Sequence, residues 1–516
     1  MNTLFSITLD AVLDEHARSY PDHIAIADGD THLTYPQLRA RVDQLANALA
    51  QADVGSGDRV LWLGQNSFRV LELMLACARI GAMVCPANWR SSAAELAFVV
   101  DDLEPKIVFW QMEEVGGVIA DARAQTAFRE AQWLQHDCIA ADGYEAFIAG
   151  GAAVPRPAST DAELAVLMIY TAAFGGRPNA AMLSHRALIC QNQTMALVTG
   201  FNHRSAYLVS GPLFHIGTFK FMSACFHSAG KNVFVRRTDP QTLCEAISGE
   251  RCTNAFLVTK TMLEMAELNS DGRYDLRSLQ SEPVAPDWDN MVTLLPKVDY
   301  QRGMGYGQTE VCGFVMWQYF GAGNSVGRYG RPSPFVQVQI IDEAGNELPV
   351  GEVGEIAVRG PLVMNGYWRR PELNAQRQRG GWHRCNDLGR REIDGSFTFI
   401  GPKVQMIKSG VENIYPAEVE NCLRSHPAVA DCGVIGIPDP KWVQSIKAIV
   451  VLQPGVSANP QEIIEHCRDR IASYKKPRFV EFAEALPKNS IGFTDYKALD
   501  AAYGGGNYPG GFTPSK

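Results

Sequence analysis

Residues 57–86 read GDRVLWLGQNSFRVLELMLACARIGAMVCP. A Gly57-Asp58 turn precedes the apolar run Val60 to Leu63, which has the length and flanks of a buried strand. A helical pattern follows and ends at Gly81, and Met83 to Cys85 restart a strand. Strand, helix, strand in so few residues is a crossover unit, and it predicts a mostly parallel sheet covered by helices. On the amino-terminal side, Leu38, Val42, Leu45 and Leu49 recur at helical spacing behind the start signals Thr34 and Pro36. On the carboxyl-terminal side the same alternation resumes after Pro155 and runs to about Gly307. From about Gly321 the texture changes: Val336 to Ile341, Gly354 to Val358 and Ser396 to Phe399 read as short strands between Gly and Asp turns.

After Gly401 comes a smaller unit. It is expected to hold a helix at Pro416 to Leu423, strands at Gly433 to Ile437 and Ile446 to Leu452, and a helix at Gln461 to Ser473. The fold class is therefore α/β. A large amino-terminal domain, residues 1–401, has mostly parallel sheets with helices plus a β-rich subdomain, and a small α+β domain spans residues 402–516. No internal repeat is present, and the Gly- and Pro-rich tail from Tyr503 is expected to be loose.

A chain of 516 residues, 46% of them hydrophobic, buries enough surface for more than one core. Its 47 basic and 56 acidic residues give a net charge of −9 without long like-charge runs, which argues against nucleic acid as a partner. The twelve cysteines form no C-x-x-C pair, so free thiols in a reducing compartment are expected, not disulfides or zinc. The longest apolar stretch, Val70 to Pro86, is interrupted by Glu72 and Arg79, so no integral membrane segment is expected. Met1 to Tyr20 carries Asp10, Asp14 and Glu15 and lacks the pattern of a leader. These features predict a cytoplasmic protein, monomeric or homodimeric.

Three segments bear on chemistry. Gly303-Met304-Gly305-Tyr306-Gly307-Gln308-Thr309-Glu310 sets a glycine-rich turn before a hydroxyl and a carboxylate, where backbone can approach a phosphate; a plain strand-to-loop bend would read the same way. Asn386-Asp387-Leu388-Gly389-Arg390 offers Asp387 to ribose hydroxyls or to an ordinary turn. Ile407-Lys408-Ser409-Gly410-Val411-Glu412-Asn413-Ile414 precedes a helix opened by Pro416 and carries more polar detail than that helix start needs.

In this order, and with Thr34-Tyr35, Gly57-Asp58-Arg59-Val60, Pro86-Ala87-Asn88-Trp89-Arg90, Gly211-Pro212-Leu213-Phe214-His215, Gly327-Arg328 and Gly354-Glu355-Ile356-Ala357-Val358-Arg359-Gly360, the segments resemble the adenylate-forming superfamily. Its members include acyl-CoA synthetases, adenylation domains of peptide synthetases and luciferases. The resemblance covers nearly the whole chain. It implies a mobile small domain and a site at the domain junction, where ATP and a carboxylic acid form an acyl-adenylate and pyrophosphate. It implies that Tyr306 stacks on adenine, Thr309 contacts the α-phosphate, Glu310 holds Mg2+ and Asp387 binds ribose. Thr171, Gly175, Gly176, Gly307 and Gln308 complete the nucleotide site. His215 stands between acid pocket and acceptor tunnel, with Gly305, Lys220, Lys408 and Gly410 around acid and acceptor. The implied acceptor is CoA. The alternatives are an amide ligase using an amine or amino acid, as in a branch resembling coronafacate ligase, and an inactive nucleotide- or acyl-binding protein. Retention of Tyr306, Thr309, Glu310 and Asp387 argues against the last.

The chain also departs from the family pattern. The phosphate loop, Thr171-Ala172-Ala173-Phe174-Gly175-Gly176-Arg177-Pro178-Asn179-Ala180, has Asn179 in place of a lysine. The late motif, Pro487-Lys488-Asn489-Ser490-Ile491-Gly492-Phe493, has Phe493 where a lysine normally bridges acid and phosphate. Lys488, taken as the catalytic candidate, Lys497 and Arg177 are the replacement cations to consider. Pro402 and Gln405 stand for the usual hinge residues, and Ser281 to Pro286 replace a glycine-rich adenine loop. Lys220 has two readings. With Ser223, His227 and Lys231 it fits a solvated helix stripe; beside the acid pocket it could hold a second carboxylate on the acid or on an amino-acid acceptor.

Overall fold

The helix Tyr35–Gln51 is built as its sequence predicts. The Thr34 hydroxyl accepts from the Gln37 N–H, the Gln37 side chain returns to the Thr34 N–H, and Pro36 sits in the first turn. Leu38, Val42, Leu45 and Leu49 are all buried. The computed structural model describes residues 6–138, 143–171, 178–321, 328–403, 405–410, 412–488 and 494–506.

Helix Phe68–Ile80 is covered on nearly every side, which explains its almost unbroken apolar sequence. Its three charged residues are all paired, Arg69 with Glu145 at 2.8 Å. Glu72 meets Arg41 and accepts from the Tyr144 hydroxyl at 2.8 Å, while Arg79 meets Asp14 and Asp43. Gly81 closes the helix at φ 73°, a left-handed geometry that suits glycine.

This helix packs against a seven-stranded sheet. Its order is Gly366–Tyr367, Asn179–Ser184, Ala165–Thr171, Met83–Pro86, Arg59–Leu63, Ile107–Trp110 and Gln132–Gln135. The last five strands are parallel. A second sheet, Asn254–Ala255, Ala206–Val209, Lys231–Phe234, Ile24–Asp28 and Thr31–Thr34, is parallel except for its last strand. Between residues 305 and 402 the chain forms an antiparallel sheet that includes Gly305–Gln308, Gly313–Trp317, Val353–Arg359 and Trp382–Arg391. The expected α/β class, with its β-rich subdomain, is what the structure shows.

The sheets change between Pro402 and Ile407. Strands Ile407–Ser409, Glu412–Ile414, Val429–Asp439, Val443–Leu452 and Phe479–Phe482 make a separate sheet, packed by helices Pro416–Arg424 and Pro460–Arg468. The helix expected over 461–473 is shorter. It stops at Arg468, and Ile471 reaches the same core from the turn that follows. Among the described residues no helix is long and apolar enough to cross a membrane, and all twelve cysteines are free.

Candidate active site

Thr171 and Pro86 end neighbouring parallel strands, and both open onto one cavity of about 1570 Å³. Crevices at the carboxyl ends of parallel strands are the usual ligand sites of such sheets. The opposite wall comes from the small domain, whose hairpin contributes Lys408, Gly410, Glu412 and Asn413. His215, Lys220, Gly307, Gln308 and Thr309 line the large-domain side. The Ser281-Glu282-Pro283-Val284 stretch lines it as well. Gly175, Gly176, Arg177 and Phe493 lie outside the described residues.

The glycine turn has a steric cause. A Cβ at Gly307 would stand 1.8 Å from the Gly313 carbonyl oxygen, so only glycine lets these two strands run so close. Gly305 does not line the cavity; it leaves room for the Phe314 ring, 2.7 Å from where its Cβ would be. Thr171 is buried, and its hydroxyl has no hydrogen-bond partner among the described residues, a donor left for a ligand.

Tyr306 departs from the expected adenine stacking. Its ring is buried behind the cavity wall, 5.5 Å from the Phe399 ring centroid, and its hydroxyl donates to Asp387 Oδ2 at 2.7 Å. Gln308 Nε2 donates to the same oxygen at 3.2 Å. Burial pushes the Asp387 carboxyl up to about 7 against the lowering effect of the Tyr306 bond. Glu310 also lies behind the wall. It accepts from the Tyr367 hydroxyl at 2.7 Å, and burial raises its carboxyl above the usual range. No cluster of three or more His, Cys, Asp or Glu that could enclose a metal occurs among the described residues. A carboxylate is the oxygen donor that Mg2+ takes; in this structure Glu310 is turned to Tyr367 and does not line the cavity.

Small-domain docking is polar and specific. Glu412 accepts from Arg90 at 2.7 Å, and His215 Nε2 lies 3.5 Å from its other oxygen. Burial alone would raise the Glu412 carboxyl, but His215 and Arg90 hold it down at about 2. Asn88 donates to the Tyr474 hydroxyl at 3.1 Å, Ser92 to the Arg470 carbonyl at 2.8 Å, and Lys475 bridges Glu95 and Glu418. Lys488 is not brought to the cavity. It pairs with Asp431 at 2.7 Å on the small domain, so its charge is already matched.

Lys220 overturns the solvated-stripe reading. It is 2% exposed, Ser223 is also buried, His227 is only partly exposed, and Lys231 belongs to a strand. The Lys220 ammonium lies 3.4 Å from the Phe314 ring centroid and 5.1 Å from that of Trp317. Burial pushes it down to about 7.

The AMP-binding enzyme family model matches residues 13–368, and the model of that family's C-terminal domain matches residues 418–492. The chain belongs to the AMP-binding enzyme family. This AMP-binding enzyme is 34% identical to a feruloyl-CoA synthase of Amycolatopsis over 92% of its own length and 95% of the relative's. It is 32% identical to an indoleacetate–CoA ligase of Aromatoleum aromaticum, over 93% and 95% of the two chains. Its fold matches the amide bond synthetase McbA of Marinactinospora thermotolerans with a TM-score of 0.78 at 24% identity, covering 96% and 100% of the two chains. The expected AMP-forming acid ligase agrees with this family.

In this AMP-binding enzyme, sequence reasoning gave no role to Arg90, Glu412, Gln191, Phe314 or Trp317. The polar surplus of 407–414 was the available signal for Glu412. Phe314 and Trp317 looked like ordinary strand residues, and nothing in the local sequence marks Gln191.

Proposed function

We propose that this enzyme activates an aromatic carboxylic acid with ATP and transfers the acyl group to CoA. The observation that carries the reading is a single cavity that joins the Gly307–Thr309 turn and Thr171 to an aromatic chamber containing Phe221, Phe256, Phe314 and Trp317. Tyr207 stacks on Phe221 at 5.7 Å, and Phe256 lies 6.1 Å beyond, a surface suited to a flat ring. The feruloyl and indoleacetate ligases support the same acid class.

In the first step a carboxylate oxygen attacks the α-phosphorus, the bond to the β-phosphate bridging oxygen breaks, and pyrophosphate leaves. Thr171 and Thr309 donate to phosphate oxygens as charge develops there. Bound Mg2+, held through Glu310 and the phosphates, would supply further neutralisation. In the second step the CoA sulfur, its proton released, attacks the acyl carbon, and the bond to the AMP oxygen breaks. His215 stands at the boundary between the two. We read the docking seen here as the transfer arrangement, because the Lys408–Asn413 hairpin faces the cavity and Lys488 does not.

Pyrophosphate release on mixing enzyme, ATP and aryl acids tests the first step, and none with any acid would leave a binding protein. Thioester formation with CoA tests the second; amides from amines or amino acids without thioester would make the enzyme an amide ligase.

Asp387→Ala is expected to raise the KM for ATP about tenfold or more and that for the acid less, by removing a charge-assisted bond to ribose. Tyr306 and Gln308 both donate to Asp387 Oδ2, which leaves Oδ1 as the oxygen not engaged by these two side chains. Equal shifts in both constants would show a purely structural role in holding Tyr306.

A further inference from the structure

Lys220 is a buried lysine without a counter-charge among the described residues. It lies on helix Ile216–His227 and lines the cavity, and no carboxylate among the described residues acts on it. The faces of Phe314, Trp317 and Phe221 surround the ammonium at 3.4, 5.1 and 5.4 Å from their centroids. Such ring contacts fix its position, but they recover only part of the hydration an ammonium loses on burial.

A second, independent vacancy in hydrogen bonding stands beside it. Gln191, on helix His185–Thr199, is fully buried, and neither its Oε1 nor its Nε2 has a partner among the described residues. Gly313 joins the two groups. A Cβ there would lie 3.1 Å from Gln191 Nε2 and 3.1 Å from Lys220 Cδ, and Gly313 itself lines the cavity. Without a side chain at Gly313, the Lys220 stem and the Gln191 amide come together across it, Lys220 on the cavity side and Gln191 behind the wall.

We propose that Lys220 and Gln191 form an anion-recognition subsite in the acid chamber, so that the acid activated by this enzyme carries a second carboxylate remote from the one that is adenylated. The inference rests on reading the chamber as the acid site. A carboxylate reaching Lys220 from the cavity beside Gly313 would give the ammonium its counter-charge and offer an acceptor to Gln191 Nε2 across Gly313. A neutral hydroxyl would supply no counter-charge. Burial that lowers the ammonium towards 7 is the cost such a ligand would reverse.

The test uses the full chain with ATP and three acids: phenylpropanoic acid, its para-carboxy derivative and its para-hydroxy derivative. Pyrophosphate release is expected to favour the diacid over the monoacid in kcat/KM. Lys220→Met should lower that diacid-to-monoacid ratio about tenfold or more, the loss expected for one charge-assisted contact. Gln191→Leu should move the ratio the same way. In parallel, Tm is measured with each acid and no ATP: the diacid should raise it more than the monoacid in wild type, and that difference should vanish in Lys220→Met. An unchanged ratio in both variants, or preference for the hydroxy acid over the diacid, overturns the subsite. If no acid releases pyrophosphate, the adenylation reading fails, while the Tm comparison still decides the subsite. Lys220→Met removes an uncompensated charge and should fold at least as well as wild type; if it does not fold, Gln191→Leu decides.

Discussion

Glu310→Gln is expected to cut pyrophosphate release about 100- to 1,000-fold while the protein stays folded, the range typical of losing one group that stabilises transition-state charge. Glu310 follows Thr309, which lines the cavity, and it is the carboxylate that the family resemblance assigns to Mg2+. Glutamine keeps an acceptor for the Tyr367 hydroxyl, which donates to Glu310 at 2.7 Å, and removes only the charge. Because burial already penalises that charge, the variant should be no less stable than wild type. Alanine would also leave the Tyr367 hydroxyl without its partner, at a cost of about 1–3 kcal/mol. Pyrophosphate release is measured across a Mg2+ titration alongside the thermal midpoint. A folded Glu310→Gln enzyme with unaltered release and Mg2+ dependence would take Glu310 out of the mechanism.

Glu412→Ala is expected to slow thioester formation more than pyrophosphate release, by undocking the small domain. Removing Glu412 leaves Arg90 without its carboxylate; because Arg90 is only half-buried, water offsets part of the loss, which falls below the about 3–5 kcal/mol of a fully buried pair. The depressed Glu412 carboxyl, from 4.5 to about 2 through His215 and Arg90, points the same way, and solvent at those two partners discounts its worth to docking. The sign follows from the direction of that shift: the contribution is complete above the ordinary carboxyl range and is lost as pH falls from about 4.5 through about 2. Stopped-flow measurement of the two half-reactions, with proteolysis of the 403–406 connection as a reporter of docking, checks both points. Equal losses in the two half-reactions, with unaltered proteolysis, would show that the Arg90–Glu412–His215 contact does not govern transfer.

Local sequence determined the elements. Thr34 to Gln37 specify a cap, the apolar run before Gly81 specifies a buried helix, and Val60 to Leu63 specify an inner strand, because propensity, capping and hydrophobic period act over a few residues. The order of the glycine turn, Asp387 and the 407–414 segment carried the resemblance to the adenylate-forming superfamily, and the expected chemistry came with that resemblance. Orientation towards the cavity was decided elsewhere. Tyr306 and Thr309 share one turn, yet Asp387, 81 residues beyond Tyr306, draws the tyrosine hydroxyl away from the cavity that Thr309 lines. The spacing of Lys220, Ser223 and His227 reports a direction around the helix axis. It does not say whether water or another element lies in that direction, and Gly313 with Phe314 and Trp317 covers Lys220 from a strand about a hundred residues away. Lys475 finds Glu95 across 380 residues in the same way. Contacts of that range exist only once the layers have packed, so the tertiary structure alone decided which polar groups are buried, which are paired and which are left for a ligand.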